Sequence, residues 1–254
     1  MTGAPDADAA PETSAVPAAP STGAAHTPDV AAALGSTGSP PVIDTTVDEL
    51  AARVRRVLAG SAEVAPRIML GLCGAPGSGK STLAAALVDR LGAETAVIVP
   101  MDGFHLATEL IRGTPLADRR GAIDTFDPGS YLSLLRRLRA RDEDVVYAPS
   151  FRRGLEEPIA ASIAVPRGVP VVITEGNYLL TDAPVWLELR GELDTVWFVD
   201  TPDAVRLPRL IGRHVQFGRD EADAAVFAAG SDQANADLIN RTRERADLIL
   251  RLTD

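Results

Sequence analysis

Apolar positions in this chain fall into two rhythms from about residue 44 onward, and into none before it. Residues 1–43 are almost all Ala, Pro, Thr, Ser, Gly and Asp, and the first 42 contain no aromatic or basic side chain other than His26. Such a stretch cannot bury enough apolar surface to offset its ordering entropy, so a disordered tail is expected over 1–43. Val47, Leu50, Val54, Val57 and Leu58 then recur at helical spacing, between a start at Asp44-Thr45-Thr46 and a stop at Gly60. They predict a preface helix over about 44–59, the first element of one domain that runs from 44 to 254.

Beyond it, short continuous apolar runs alternate with amphipathic stretches. Strands are expected at Ile68–Cys73, Ala96–Pro100, Val145–Tyr147, Val169–Thr174, Thr195–Val199 and Asp247–Leu252. Between them lie helices at Lys80–Leu91, with Leu83, Leu87, Val88 and Leu91 inward, and at 129–141, with Leu132, Leu135 and Leu138 on one face. Two more are expected at about 203–213 and 221–240. Alternating strands and helices, with strands apolar along their whole length, predict an α/β fold with a parallel sheet covered on both faces. No internal repeat is visible.

Composition narrows the function. The chain has 254 residues, a formal charge of −10 and no long basic run, which argues against a nucleic-acid or anionic-membrane partner. Cys73 is the only cysteine, so no intrachain disulfide can form, as expected of a cytoplasmic protein. Its place inside an apolar run predicts a buried, inert thiol. Neither a membrane-length apolar stretch nor a secretory leader is read from the sequence. With three histidines and one cysteine, zinc is not expected.

The one lysine changes the picture most. All other strongly basic residues are arginine, and Lys80 stands in Gly74-Ala75-Pro76-Gly77-Ser78-Gly79-Lys80-Ser81, a G-x-x-x-x-G-K-[ST] loop between an expected strand and an expected helix. Glycines let backbone N–H groups of residues 74–82, Thr82 included, face phosphate oxygens at a helix N-terminus. The compact ammonium of Lys80 suits the β- and γ-phosphates of a nucleotide, and the Ser81 hydroxyl suits Mg²⁺.

Other candidates lie at strand ends, where open α/β sheets hold their ligands. Asp102 can take the proton of an attacking hydroxyl, and Glu175, ending Val171-Val172-Ile173-Thr174, can orient a metal. Asp200 has the same look but reads as structural. Arg206, Arg209 and Arg213 share a helical face by i, i+3, i+7 spacing, with Arg219 at the helix exit. By spacing such a row suits either a lid closing over transferring phosphoryl or a solvated basic helix face. His105 and Tyr147 are placed in an acceptor pocket.

Taken in order, Gly74–Ser81, Met101-Asp102-Gly103-Phe104-His105, Phe126-Asp127-Pro128, Tyr147-Ala148-Pro149-Ser150-Phe151-Arg152-Arg153, Glu175-Gly176-Asn177-Tyr178-Leu179-Leu180 and Arg206–Arg219 resemble the uridine kinase, phosphoribulokinase and pantothenate kinase superfamily of P-loop kinases. The likeness covers about residues 66–254 and is nearest to its bacterial nucleoside/nucleotide kinase-like branch. It implies a P-loop NTPase fold with a central five-stranded parallel sheet and an Arg-bearing lid. It also implies ATP and Mg²⁺ as cofactors, Asp102 as base, Arg209 and Arg213 as the lid residues at the chemistry, and a homodimer. Arg153, Asn177 and Asn235 are carried over as acceptor-binding residues. Where uridine kinases have Asp-Ser-Phe-Tyr, this chain has Asp102-Gly103-Phe104-His105. Their Tyr-Asp-Phe with a following histidine is Ser150-Phe151-Arg152 here, which argues against uridine itself.

The expectation is an ATP-dependent kinase acting on a hydroxyl of a small metabolite: pantothenate-like, nucleoside or sugar. A GTPase is disfavoured, because the guanine-reading Asn-Lys-x-Asp motif needs a second lysine. A catalytically silent P-loop regulator is the alternative, against which stands the full set of Lys80, Ser81, Asp102 and Glu175.

Overall fold

The computed structural model describes residues 39–60 and 67–253. Six parallel strands form the main sheet: β1 (Val42–Thr45), β2 (Ile68–Cys73), β3 (Ala96–Pro100), β6 (Val171–Glu175), β7 (Thr195–Val199) and β8 (Leu248–Leu252), in the order β1-β8-β7-β2-β6-β3. A separate antiparallel hairpin pairs β4 (Val145–Arg152) with β5 (Glu157–Pro166). The helices are α1 (Val47–Gly60), α2 (Lys80–Leu91), the single turn α3 (Thr108–Ile111), α4 (Pro128–Ala140), α5 (Pro184–Gly191), α6 (Asp203–Gln216), α7 (Glu221–Ala229) and α8 (Ser231–Asn240).

Alternation along each strand divides the core into two layers. On one face Leu70 and Leu72 of β2, and Trp197 and Val199 of β7, meet Leu50 and Val54 of α1 and Leu83 and Leu87 of α2. On the other, Met69, Val196 and Phe198 meet Tyr131, Leu135 and Leu138 of α4, with Trp186 and Leu189 of α5. The three leucines expected inward on α4 are all buried. That helix is capped by Asp127, whose side chain accepts the Ser130 N–H at 3.0 Å, and Pro128 opens it.

Three expectations need correction. The sheet has six strands rather than five, because Val42–Thr45 pairs with β8, Ile43 opposite Leu250. Four residues with two apolar side chains, following Pro40-Pro41, give almost no pattern; the strand exists by pairing with a formed edge. It also delays the preface helix to residue 47 and orders the end of the expected tail, whose residues 1–38 lie outside those described. The strand expected over Val145–Tyr147 runs to Arg152 and belongs to the hairpin, outside the parallel sheet. The helix expected over 221–240 breaks at Gly230, where φ −95° and ψ −96° leave the helical region.

Chain order places the ligand end. From β2 the chain crosses to β3 on one side of the sheet, and later returns through β6 to β7 on the other. The sheet therefore reverses its winding at the carboxyl end of β2, where a crevice must open. None of the described helices is long and apolar enough to cross a membrane.

Candidate active site

The loop over 74–79 leaves the carboxyl end of β2 and enters α2 at that crevice. Gly79 is the turning point: as N-cap it has φ 96° and ψ 11°, a left-handed conformation that a side chain would strain. Ser78 N–H closes the turn on Ala75 O at 3.0 Å. Lys80 folds back over the loop, Nζ donating to Ala75 O at 3.3 Å. Its side chain is buried, and burial pushes its pKa down, while Glu175, Cys73 and Asp102 hold it up. The Ser78 hydroxyl is buried without a hydrogen-bond partner among the described residues. A polar concavity at a helix N-terminus with an unmet hydroxyl fits a phosphate.

Glu175 ends β6 beside β2 and β3, in register with Leu72 and Pro100. Burial raises its pKa, as does the Asp102 charge; Lys80 and the nearby hydroxyl of Ser81 lower it. A hydroxyl and a carboxylate bordering the same cavity form a hard-oxygen pair that suits Mg²⁺. Gly176 explains how two strand ends come so close: a Cβ there would stand 2.6 Å from Met101. Met101 opens the 3₁₀ turn that carries Asp102.

Asp102 Oδ2 accepts from Arg153 Nη2 at 3.3 Å. His105 gives its Nδ1–H to the Asp102 carbonyl at 2.7 Å, and its ring lies between Phe126 (centroids 4.1 Å) and Phe151 (4.6 Å). Burial lowers its pKa, so the neutral ring is favoured, with Nε2 as an acceptor.

These groups border one cavity of about 640 Å³. Of the residues expected from sequence, Pro76, Lys80, Ser81, Asp102, His105, Arg153, Glu175, Asn177, Arg213 and Asn235 line it. Tyr147 does not; on β4 it points away from buried Val146 and Ala148 and is 57% exposed. Asp200 is structural, accepting from Arg243 at 3.0 Å and Arg251 at 3.1 Å. Cys73 is buried, its thiol pushed up to about 12 by burial, as expected of an inert cysteine.

The arginine row divides, contrary to its reading as one lid face. Arg206 is fully buried and braces the loop from behind, with Nη1 on Pro76 O at 3.1 Å, Nε on Asp203 at 2.9 Å and Nη2 on Gln233. Arg209 is exposed, and its Nη1 lies 3.9 Å from where a Cβ on Gly79 would stand. Arg213 faces the cavity without an ion pair among the described residues; burial pushes its pKa down, as does neighbouring Arg153. Arg219 lies over the Phe227 ring at 4.2 Å.

Sequence reasoning missed several lining residues. Arg112 and Arg120 sit in the polar excursion between β3 and α4, which carries no periodicity. His214 of α6 donates Nε2–H to Asp232 of α8 at 2.7 Å, a pair joined only by tertiary packing. Phe126 and Phe151 were visible as motif letters, but not as the walls that hold His105.

The chain is 32% identical over 194 residues to a protein named "Putative uridine kinase" from Schizosaccharomyces pombe, spanning 72% of this chain and 83% of that protein. It is 34% identical over 152 residues to an ATP-dependent kinase-like protein of Aspergillus versicolor, spanning 56% of this chain and 88% of the relative. The crystal structure of a "putative fructose transport system kinase" from Silicibacter sp. TM1040 superposes with a TM-score of 0.72 at 37% identity, covering 81% of this chain and 98% of that one. No protein-family model matches.

Proposed function

The chain belongs to the uridine kinase-like family of P-loop kinases, and we propose that it transfers the γ-phosphoryl group of ATP to a hydroxyl of a small metabolite. The observation that carries this reading is the convergence of Lys80, the Ser81–Glu175 pair and Asp102 from the ends of β2, β6 and β3 on one cavity. The relative named as ATP-dependent supports ATP as donor.

Lys80 and the loop N–H groups hold the β- and γ-phosphates, offsetting the net negative charge of the protein. Ser81 and Glu175 are the residues that would hold Mg²⁺, which when bound neutralises charge on the bridging phosphates. Asp102 positions the acceptor hydroxyl and takes its proton. The acceptor oxygen bonds to the γ-phosphorus, the bond to the β,γ-bridging oxygen breaks, and its electron pair leaves with ADP. Arg213, a half-buried cation with no ion pair among the described residues, neutralises charge on the phosphoryl in flight.

A coupled assay of ADP release over nucleosides, pantothenate, sugars and related alcohols tests this reading. ADP release that rises with one acceptor and disappears in Asp102→Asn is the expected result. ADP release indifferent to every acceptor, with tight ATP binding, would point to the silent regulator instead.

A further inference from the structure

The cavity wall formed by the excursion between β3 and α4 carries a guanidinium with two nitrogens that no described residue meets with a hydrogen bond. Arg120 follows a 3₁₀ turn at Ala117–Arg119, and its Nη1 donates to Thr108 Oγ1. Its group lies over the Phe151 ring, 5.4 Å from the centroid. The carboxylate within ion-pair reach, Glu157, stands 4.0 Å from Nη2, and both its oxygens already accept the Thr108 N–H, at 3.0 and 3.1 Å. Nε and Nη2 of Arg120 are buried without a hydrogen-bond partner among the described residues, Glu157 standing beyond hydrogen-bond distance.

Those two nitrogens form the side of the fork that takes both oxygens of a carboxylate or phosphate at once. The chain shows the same edge satisfied elsewhere: Arg137 gives Nε and Nη2 to the two oxygens of Glu143, at 2.7 Å each. Arg120 is also tied by stacking to the reacting end of the cavity. Phe151 beneath it packs on His105, and His105 donates to the Asp102 carbonyl. Arg112, at the end of α3, lines the same wall.

We propose that the phosphate acceptor is a small hydroxylated anion, whose carboxylate or phosphate group is received by Nε and Nη2 of Arg120 while its hydroxyl lies at Asp102. This rests on the kinase reading above. A neutral nucleoside or free sugar leaves the Arg120 edge unmet, and a buried donor without a partner disfavours the complex. Arg112 adds a second, more exposed cation at the entrance to that edge.

Matched acceptors test this with the full chain: pantothenate against panthenol and gluconate against sorbitol for the carboxylate, ribose 5-phosphate against ribose for the phosphate, and uridine as a neutral nucleoside. At least one anion is expected to drive ADP release with kcat/KM about 100-fold above its neutral partner. Arg120→Gln is expected to raise the KM of that anion by about 10- to 100-fold, the worth of a charge-assisted contact, and to leave the KM for ATP within about twofold. Because Arg120 also holds Thr108, melting of the variant is measured alongside. Exposed Arg112→Gln, expected to raise the same KM about threefold, keeps the test open if Arg120→Gln does not fold. A neutral partner turned over as well as its anion, or an anion KM unmoved in the folded variants, overturns the proposal and leaves the kinase reading standing. No ADP release with any acceptor, in a chain that binds ATP, removes both.

Discussion

Arg153 Nη2 lies 3.3 Å from Asp102 Oδ2, so the carboxylate at the end of β3 is held by a cation from the β4–β5 hairpin. The same guanidinium stands 5.7 Å from the ring of Phe217, just past the end of α6. One side chain therefore links the proposed base, the hairpin and the arginine-bearing helix. The pair is partly solvated, 31% and 40% exposed on its two sides, which limits its worth to about 0–1 kcal/mol.

Asp102→Asn thus separates chemistry from folding. It keeps the shape of the side chain and leaves the exposed Arg153 free to hydrate. Acceptor-dependent turnover is expected to fall about 10²–10⁴-fold, the usual weight of a positioned base, while stability changes by less than about 1 kcal/mol. Steady-state kinetics beside a urea titration gives both numbers. Near-normal turnover with the true acceptor would remove Asp102 from the role of base.

Lys80→Arg asks whether charge alone suffices at the phosphate loop. Lys80 is buried, with its ammonium folded onto Ala75 O at the cavity wall. A planar guanidinium is broader than an ammonium and cannot occupy that space without displacing the loop. Transfer is expected to fall at least about 100-fold, with ATP affinity weakened. Isothermal titration of ATP and single-turnover rates would decide it; a variant of ordinary activity would mean that the site reads charge rather than shape.

Arg206 and Arg209 are three residues apart and expected to behave oppositely. Arg206→Ala strips three hydrogen bonds from a fully buried position and leaves the Pro76 carbonyl without its donor. The loss is expected to be about 2–4 kcal/mol, or roughly 5–15 °C in Tm. Arg209→Ala, at an exposed position, should stay within about 0.5 kcal/mol and act on turnover alone. Differential scanning calorimetry of the two variants is the check, and equal melting would return Arg206 to the lid.

The sequence showed the fold and half of the site for a physical reason. Lys80, Ser81, Asp102 and Glu175 sit at strand ends, and strand ends can be read from where an apolar run stops. The parallel sheet was legible because strands buried on both faces are apolar along their length. Arg206 misled because helical spacing reports which side chains share a face, not what covers that face; here α8 and the phosphate loop do. Tyr147 misled in the same way, through the unseen parity of β4. Arg120 and the His214–Asp232 pair were beyond reach, since nothing local announces a partner that tertiary packing supplies or withholds. β1 needed the edge of β8 to exist at all.

His105 adds a pH dependence with a definite sign. Burial between Phe126 and Phe151 lowers its pKa from the ordinary 6.5, although Asp102 pulls the other way. Below about pH 6.5 the unfolded chain therefore binds a proton that the folded chain resists. Stability contributed by neutral His105 is present above the unfolded pKa and is lost as pH falls through it toward the folded pKa. Glu175, raised by burial, carries the opposite sign, so wild-type stability alone mixes the two. The difference between the chain and His105→Asn isolates the histidine, because the asparagine does not titrate. That difference, followed by urea denaturation from pH 8 to pH 5, is expected to shrink as pH falls below about 6.5. A difference that grows on acidification would mean that the imidazolium, held by the Asp102 carbonyl and carboxylate, is the favoured form.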